Sequence, residues 1–236
     1  MNSPHTANNA RERLIIALDF PDADRALDCA RTLSGDVALF KIGLQLYTAA
    51  GPEIVRAVAA TGGKVFLDLK LHDIPNTVAK AVAAAGELGV AMLTLHLSGG
   101  RRMIEAAVTA RPDSLLLLGV TVLTSSDAET LRETGIQDGV AEQTLRLATL
   151  GAAAGITGLI ASPHEVVNLR AHLGAQTTII TPGVRPAWSA ADDQRRFATP
   201  RAAIDNGADY LVIGRPVTAQ ADPKEAVRKI LEELDA

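Results

Sequence analysis

Short apolar runs recur from residue 13 onward, and each is followed by a longer stretch of helical character. Most runs are apolar nearly throughout, which is typical of parallel strands that are covered on both faces. The eight runs are RLIIALD (13–19), ALFKIG (38–43), KVFLDLK (64–70), AMLTLHL (91–97), LLLLGVTVL (115–123), GLIAS (158–162), TTIITPG (177–183) and DYLVIG (209–214). This alternation constrains the fold more than any other feature of the chain.

The segments between the runs carry apolar residues at spacings of three and four, as amphipathic helices do. A strand followed by a helix, repeated eight times in 236 residues, predicts an α/β fold of one (β/α)8 TIM barrel. We expect residues 13–236 to form this catalytic domain and residues 1–12 to be a flexible N-terminal lead-in. The alternative is a doubly wound open sheet, which needs fewer strands or a second domain, and no linker is visible.

Composition excludes several functions. The net charge is −4 and aromatic residues are only 3% of the chain, so neither a basic stripe nor a stacking platform for nucleic acid is present. Cys29 is the single cysteine and cannot form an intramolecular disulfide, which favours a reducing compartment. No apolar run has bilayer length, and the N-terminus lacks the order of a signal peptide. We therefore expect a cytoplasmic protein with no nucleic-acid or membrane partner.

The predicted strand ends are polar, and catalytic residues of barrels lie at the C-terminal ends of the strands. The alternative interpretation is a polar rim that only faces water. The residues at these ends are Asp19, Lys41, Asp68, Lys70, His96, Thr124, Ser125, Ser162, the turn TPGVR with Pro182, Gly214 and Arg215.

The segment LDLKLHDIPNTV (67–78) contains the densest group of charges. Side chains alternate along a strand, so Asp68 and Lys70 should share the face that points into the barrel mouth, near Lys41. An adjacent carboxylate keeps a buried lysine protonated, and a protonated lysine can act as a proton donor. An ion pair that merely closes the barrel mouth is the alternative.

His72 and Asp73 follow this strand and could be metal ligands together with Asp68. Their spacing fits no tight site, and two nearby lysines would oppose a divalent cation. We therefore expect no metal.

The turns after the seventh and eighth runs, TPGVRP and GRP, lie where barrels often bind phosphate. Glycine lets the backbone approach an anion, and Arg215 can add a bidentate contact. Ordinary turn glycines are the alternative. The polar connection 184–198 between these turns is long enough to be a lid.

The chain contains the motifs DLKLHDIPNTV, ALDFP, FKIG, SGG, VTVLTS, TPGVRP, DDQRR and YLVIGRP. Together these motifs resemble the orotidine 5'-phosphate decarboxylase family in its bacterial form, over residues 13 to 235. One residue departs from the pattern, since Leu97 stands where the family often has alanine. The resemblance implies a homodimeric (β/α)8 barrel that converts orotidine 5'-phosphate to UMP and CO2, the last step of de novo pyrimidine nucleotide synthesis, without metal or organic cofactor.

The resemblance also implies roles for individual residues. Lys70 would protonate C6, Asp68 would be its electrostatic partner beside the substrate carboxylate, and Lys41 would complete the charged array. Asp73, Ile74 and Thr77 would be lent across the dimer interface to the other subunit's site. The expected substrate contacts are Asp19 and Lys41 for the ribose, Thr124 and Ser125 for the base, Gln194, Gly214, Arg215 and Arg185 for the phosphate, and Pro182 in the adjoining turn.

Two other functions compete with this interpretation. Sugar-phosphate decarboxylases or synthases of the same barrel superfamily share a D-x-K-x-x-D pattern but bind Mg²⁺; HDIPNT and DDQRR favour the nucleotide enzyme. A catalytically silent phosphate-binding scaffold would have no need for Lys41, Asp68, Lys70 and Asp73 together.

Overall fold

The computed structural model describes residues 9–189 and 198–235. Eight parallel strands pair in sequence order and close into a barrel through β1 and β8. The predicted (β/α)8 barrel is confirmed, and the open sheet is wrong. Each predicted run coincides with one strand, and only β3 extends beyond its run, by one residue. The strands are β1 Leu14–Ala17, β2 Leu39–Gly43, β3 Lys64–Leu71, β4 Met92–His96, β5 Leu116–Val120, β6 Gly158–Ile160, β7 Thr178–Thr181 and β8 Tyr210–Ile213.

Helices connect the strands and surround the barrel. The connection 124–157 contains a short helix and then a longer one, as its sequence predicts. The helices are α1 Ala10–Arg13, α2 Ala23–Leu33, α3 Leu44–Ala50, α4 Glu53–Ala59, α5 Pro75–Glu87, α6 Arg101–Ala110, α7 Ala128–Glu133, α8 Val140–Ala153, α9 Val166–Leu173, α10 Pro200–Asp205, α11 Arg215–Thr218 and α12 Pro223–Asp235, and Leu97–Gly99 forms a 3-10 turn after β4.

The predicted lead-in includes the first helical turn. Asn9 caps α1, because its side-chain oxygen accepts a hydrogen bond from the backbone N–H of Glu12 at 2.9 Å. Residues 1–8 lie outside the described part of the chain. In the described ranges, no helix combines the length and apolar character needed to cross a bilayer.

Two apolar clusters hold the barrel together, one inside it and one between the strands and the helices. Ile15, Leu39, Phe66 and Tyr210 belong to the inner cluster. Side chains alternate along a strand, so the next inward position after Leu39 is Lys41, and the next after Phe66 is Asp68. The apolar interior therefore forms a packed floor beneath the charged residues.

Leu97, the departure from the family pattern, packs in a space that two glycines leave open. Its side chain is fully buried between Gly119 of β5 and Gly151 of α8. A methyl group at Gly119 would lie 2.7 Å from Leu97 Cδ2, and one at Gly151 would lie 2.8 Å from the same atom. The large residue at 97 thus depends on small residues on the neighbouring strand and helix.

Candidate active site

Four side chains of alternating charge form a chain of contacts across the barrel mouth. Lys70 Nζ lies 2.8 Å from Asp68 Oδ1 and 2.9 Å from Asp68 Oδ2. Lys41 Nζ lies 3.8 Å from Asp68 Oδ2 and donates a hydrogen bond of 2.8 Å to Asp19 Oδ1. The first three strands therefore bring together Asp19, Lys41, Asp68 and Lys70, which we call the charged array.

Burial differs along the charged array. The side chains of Lys41 and Asp68 are only 11% and 13% exposed, whereas that of Lys70 is 30% exposed. Removing a charge from water is costly unless an opposite charge and hydrogen bonds offset the loss of hydration. Each buried charge here has such a partner, and the more accessible ammonium of Lys70 is available to a ligand.

The backbone at Lys70 departs from the regular strand that alternation predicts. Phe66 and Leu67 pair with Met92 and Leu93, but Leu71 pairs with Leu95, so β3 bulges against β4. Lys70 lies in the bulge with a φ of 50°, and it is the only non-glycine residue with positive φ in the described ranges. A bulge re-aims a side chain, and here it turns Lys70 toward the carboxylate two residues earlier.

The leucines of the same segment face the helices, as expected. Leu67 is buried in the outer cluster, and Leu69 and Leu71 pack against that cluster. The bulge therefore preserves the separation of apolar and charged faces.

Thr94 of β4 is a site residue that the sequence reasoning missed. Its hydroxyl accepts a hydrogen bond from the backbone N–H of Lys70 at 2.8 Å and donates one to Asp68 Oδ1 at 2.9 Å. The sequence feature that could have indicated Thr94 is a single hydroxyl in the apolar run AMLTLHL. It stands two residues after Met92, which belongs to the inner cluster, and therefore on the same face of the strand.

A cavity of about 150 Å³ opens beside the charged array. One wall carries Lys41, Asp68 and Lys70, and Thr124, Ser162 and Pro182 also reach the cavity. Such a space suits a ligand with one charged edge and an apolar ring face. The rest of the lining is apolar and comprises Phe66, Val120, Val122, Leu123, Ile160, Ala161 and Val212.

Ser162 is a cavity residue to which the sequence analysis assigned no role in the site. It is 2% exposed, and its hydroxyl has no hydrogen-bond partner in the described part of the chain. Its position at the end of the sixth run was the signal, but the resemblance assigned it no role.

The three residues that the resemblance assigns to a partner's site lie outside this cavity lining. Asp73, Ile74 and Thr77 are exposed at the start of α5, and Ile74 is 67% exposed. The Asp73 carboxylate accepts the backbone N–H of Ile74 at 2.6 Å. Their predicted role in a partner's site stays a prediction.

The predicted phosphate residues lie at the ends of β7 and β8. Arg185 is buried, whereas Arg215 is exposed at the first position of α11. Val184 and Ala198 form an isolated bridge that joins the two ends of the long connection. The described residues do not include Gln194, the DDQRR motif or most of the predicted lid.

Of the two residues predicted to contact the base, Thr124 lines the cavity, whereas Ser125 is exposed beyond the cavity lining.

Two imidazoles lie near the charged array. The rings of His72 and His96 have centroids 5.7 Å apart. The pKa of His96 is lowered mainly by burial and further by the positive charges of His72 and Lys70, while Asp68 opposes this shift. The residues described include no group of three or more His, Cys, Asp or Glu side chains that could hold a metal ion.

A closed (β/α)8 barrel with a cavity and a charged array at the carboxyl ends of its strands defines the class of this protein, which is a barrel enzyme. The family profile described as "Orotidine 5'-phosphate decarboxylase / HUMPS family" matches residues 12–230. The chain belongs to this family.

Individual relatives are similar to this chain over nearly its whole length. The chain is 52% identical to an orotidine 5'-phosphate decarboxylase of Opitutus terrae over 94% of this chain and 97% of the relative. It is 48% identical to one of Syntrophotalea carbinolica over 96% of each chain. The crystal structure of orotidine 5'-phosphate decarboxylase from Lactobacillus acidophilus superposes with a TM-score of 0.84 at 36% identity, covering 95% of this chain and all of that one.

Proposed function

We propose that this protein decarboxylates orotidine 5'-phosphate to UMP and CO2, as the last step of de novo pyrimidine synthesis in the cytoplasm, without a metal or cofactor. One observation carries the proposal: the Asp68–Lys70 pair, with 2.8 Å between Lys70 Nζ and Asp68 Oδ1, lines a cavity of the right character. Relatives of similar length that bear this enzyme's name support the choice of substrate.

The cavity walls suggest how the substrate binds. The C6 carboxylate faces Asp68 and Lys70, and the apolar walls cover the faces of the pyrimidine ring. Thr124 and Ser125 contact the base, while Asp19 and Lys41 contact the ribose. The phosphate lies at the ends of the last two strands, against Pro182, Arg185, Gln194, Gly214 and Arg215.

The chemical step follows from the charges. The bond between C6 and the carboxylate breaks, its electron pair stays on C6, and CO2 leaves. No π system lies in line with this electron pair, so the protein must stabilise it electrostatically. The Lys70 ammonium provides the positive charge and then transfers a proton from Nζ to C6, which gives UMP.

Asp68 contributes through its position. Its carboxylate is largely buried, holds Lys70 Nζ with both oxygens, and lies where the substrate carboxylate must bind. Repulsion between the two carboxylates raises the energy of the bound substrate and is relieved as CO2 departs. Binding of the distant phosphate supplies the free energy that offsets this repulsion.

We also propose that the working form is a homodimer. Asp73, Ile74 and Thr77 are exposed beside the mouth but do not line their own chain's cavity. Their exposure leaves them accessible to a second subunit, as the family resemblance implies. In the dimer each subunit lends these residues, Asp73 above all, to the other subunit's site.

Product analysis tests the proposal. Purified protein is incubated with orotidine 5'-phosphate in the presence of EDTA, and the products are separated by chromatography. Equimolar UMP and CO2 are expected, with the same rate when EDTA is omitted. Absence of UMP, or activity that EDTA abolishes and Mg²⁺ restores, would instead favour the magnesium-dependent sugar-phosphate enzymes.

A further inference from the structure

We propose that Thr94 is a positioning residue that holds both members of the Asp68–Lys70 pair in their reactive geometry. This inference rests on the proposed function, because it concerns how Lys70 is aimed at C6. Thr94 does not line the cavity, so it acts through the two charged residues and not by touching substrate.

The hydroxyl of Thr94 is fully used by the pair. A threonine hydroxyl has one proton to donate and lone pairs to accept hydrogen bonds. Here the proton goes to Asp68 Oδ1 at 2.9 Å, and a lone pair accepts the backbone N–H of Lys70 at 2.8 Å. One atom therefore fixes the orientation of the carboxylate and the backbone from which the lysine extends.

The backbone at Lys70 needs such a contact because it is strained. A left-handed conformation is unfavourable for a residue with a side chain, and it persists only where its surroundings enforce it. The φ of Lys70 is 50°, and the β3–β4 pairing is interrupted between Leu67 and Leu71. The Thr94 hydroxyl supplies the Lys70 N–H with an acceptor inside this interruption.

Burial makes the two hydrogen bonds difficult to replace. Thr94 is 0% exposed, so removing its hydroxyl leaves the Lys70 N–H without its acceptor in a site where water has little access. The backbone at Lys70 is then expected to relax toward negative φ. That change would move the ammonium away from both Asp68 and C6.

The test compares Thr94→Val, which preserves the shape and removes the hydroxyl, with Thr94→Ser, which keeps the hydroxyl. Thr144→Val is the matched control, because Thr144 of α8 is also buried, at 1% exposure, and its hydroxyl has no partner in the described residues. Initial rates with orotidine 5'-phosphate give kcat and KM, and UMP titration gives product affinity.

We expect Thr94→Val to lower kcat about 100-fold, since a misplacement of about 1 Å costs roughly this factor. KM and UMP affinity should stay close to wild type, Thr94→Ser should recover most of the rate, and Thr144→Val should match wild type. A Thr94→Val enzyme with normal kcat would overturn the proposal. A serine variant as slow as the valine variant would also overturn it, since methyl packing would then be the cause.

A structural measurement separates this inference from the proposed function. In a crystal structure of Thr94→Val, we expect Lys70 to leave the left-handed region and its contacts with Asp68 to lengthen. An unchanged Lys70 φ and an intact ion pair would overturn the positioning role, whatever substrate the wild-type enzyme uses. If Thr94→Val does not fold, Thr94→Ala removes the same hydroxyl without adding bulk and is subject to the same criteria.

Discussion

At the scale of single residues, each strongly buried charge in the mouth has a partner of opposite sign. Lys41 lies between Asp19 and Asp68, and Asp68 lies between Lys41 and Lys70. Removing one member would leave a partner buried without compensation. Mutational effects within the charged array are therefore expected to be larger than those on the rim.

Arg215 provides a test at the rim. We expect Arg215→Ala to lower kcat/KM about 10- to 100-fold, mainly through a higher KM, because it removes the proposed charge-assisted hydrogen bonds to the phosphate. Steady-state kinetics measure the effect, with Arg228→Ala on exposed α12 as the control. A kcat/KM equal to wild type would refute the phosphate role.

His96 links the site to the pH dependence of stability. Its pKa in the folded protein is lowered, so the unfolded chain binds more protons at pH values below its ordinary pKa of about 6.5. The contribution to the free energy of unfolding is fully present above pH 6.5 or so and is lost as the pH falls through the folded pKa.

Urea unfolding between pH 7.5 and about 5 measures this effect. We expect the free energy of unfolding to fall less steeply with decreasing pH in His96→Gln than in wild type. His72→Gln should give an intermediate slope, because it removes one of the charges that lower the pKa of His96. Identical slopes in all three proteins would contradict this account.

At the scale of elements, β3 contains one feature that the sequence predicts and one that it does not. Alternation of leucines with charges in residues 67–71 predicted which side chains face the cavity, because strand periodicity is local. The bulge at Lys70 was not predictable, since it depends on the register with β4, a partner 24 residues along the chain. Thr94 was missed for the same reason, because its hydroxyl matters only once that register is known.

Family resemblance extended the prediction where periodicity could not. It assigned roles to Asp19, Arg185 and Arg215, which stand on three different strand ends and share no local pattern. It gave no account of Ser162, whose buried hydroxyl became visible only when the cavity lining was known. The role of a residue such as Ser162 depends on its tertiary contacts, which the sequence alone does not show.

The packing of Leu97 against Gly119 of β5 can be tested by measuring stability. Gly119→Ala alone should be strongly destabilising, because three Leu97 atoms lie within 3 Å of the added methyl group. Leu97→Ala alone should cost about 2–5 kcal/mol from the cavity it leaves. The double variant should lose less than the sum of the two, and additive losses in denaturant unfolding would contradict direct packing.

At the scale of the whole molecule, barrel closure brings residues that are distant in sequence to one rim. β1 and β8 pair directly, and Gly214 therefore lies close to Asp19. The residues proposed to contact the ribose and the phosphate, which come from opposite ends of the chain, thus adjoin one another. The proposed dimer would likewise bring residues of a second copy to this rim, because Asp73 does not line the cavity of its own chain.

Subunit complementation tests the dimer. Lys70→Ala and Asp73→Ala proteins are each expected to have little activity. Mixed at equal concentration under conditions that allow exchange, they should regain about one quarter of the wild-type activity, because half of the dimers are mixed and each of these contains one intact site. No gain after exchange, with dimers verified by sedimentation, would show that Asp73 serves its own subunit or neither.

In the proposed mechanism, the Lys70 ammonium drives decarboxylation by stabilising the negative charge on C6 and then protonating this carbon. The most direct measurement follows the loss of orotidine 5'-phosphate absorbance with wild type and with Lys70→Ala, after circular dichroism has shown that both are folded. We expect rapid loss with wild type and a rate at least about 1,000-fold lower for the variant. A folded Lys70→Ala protein with near-normal turnover would contradict the account.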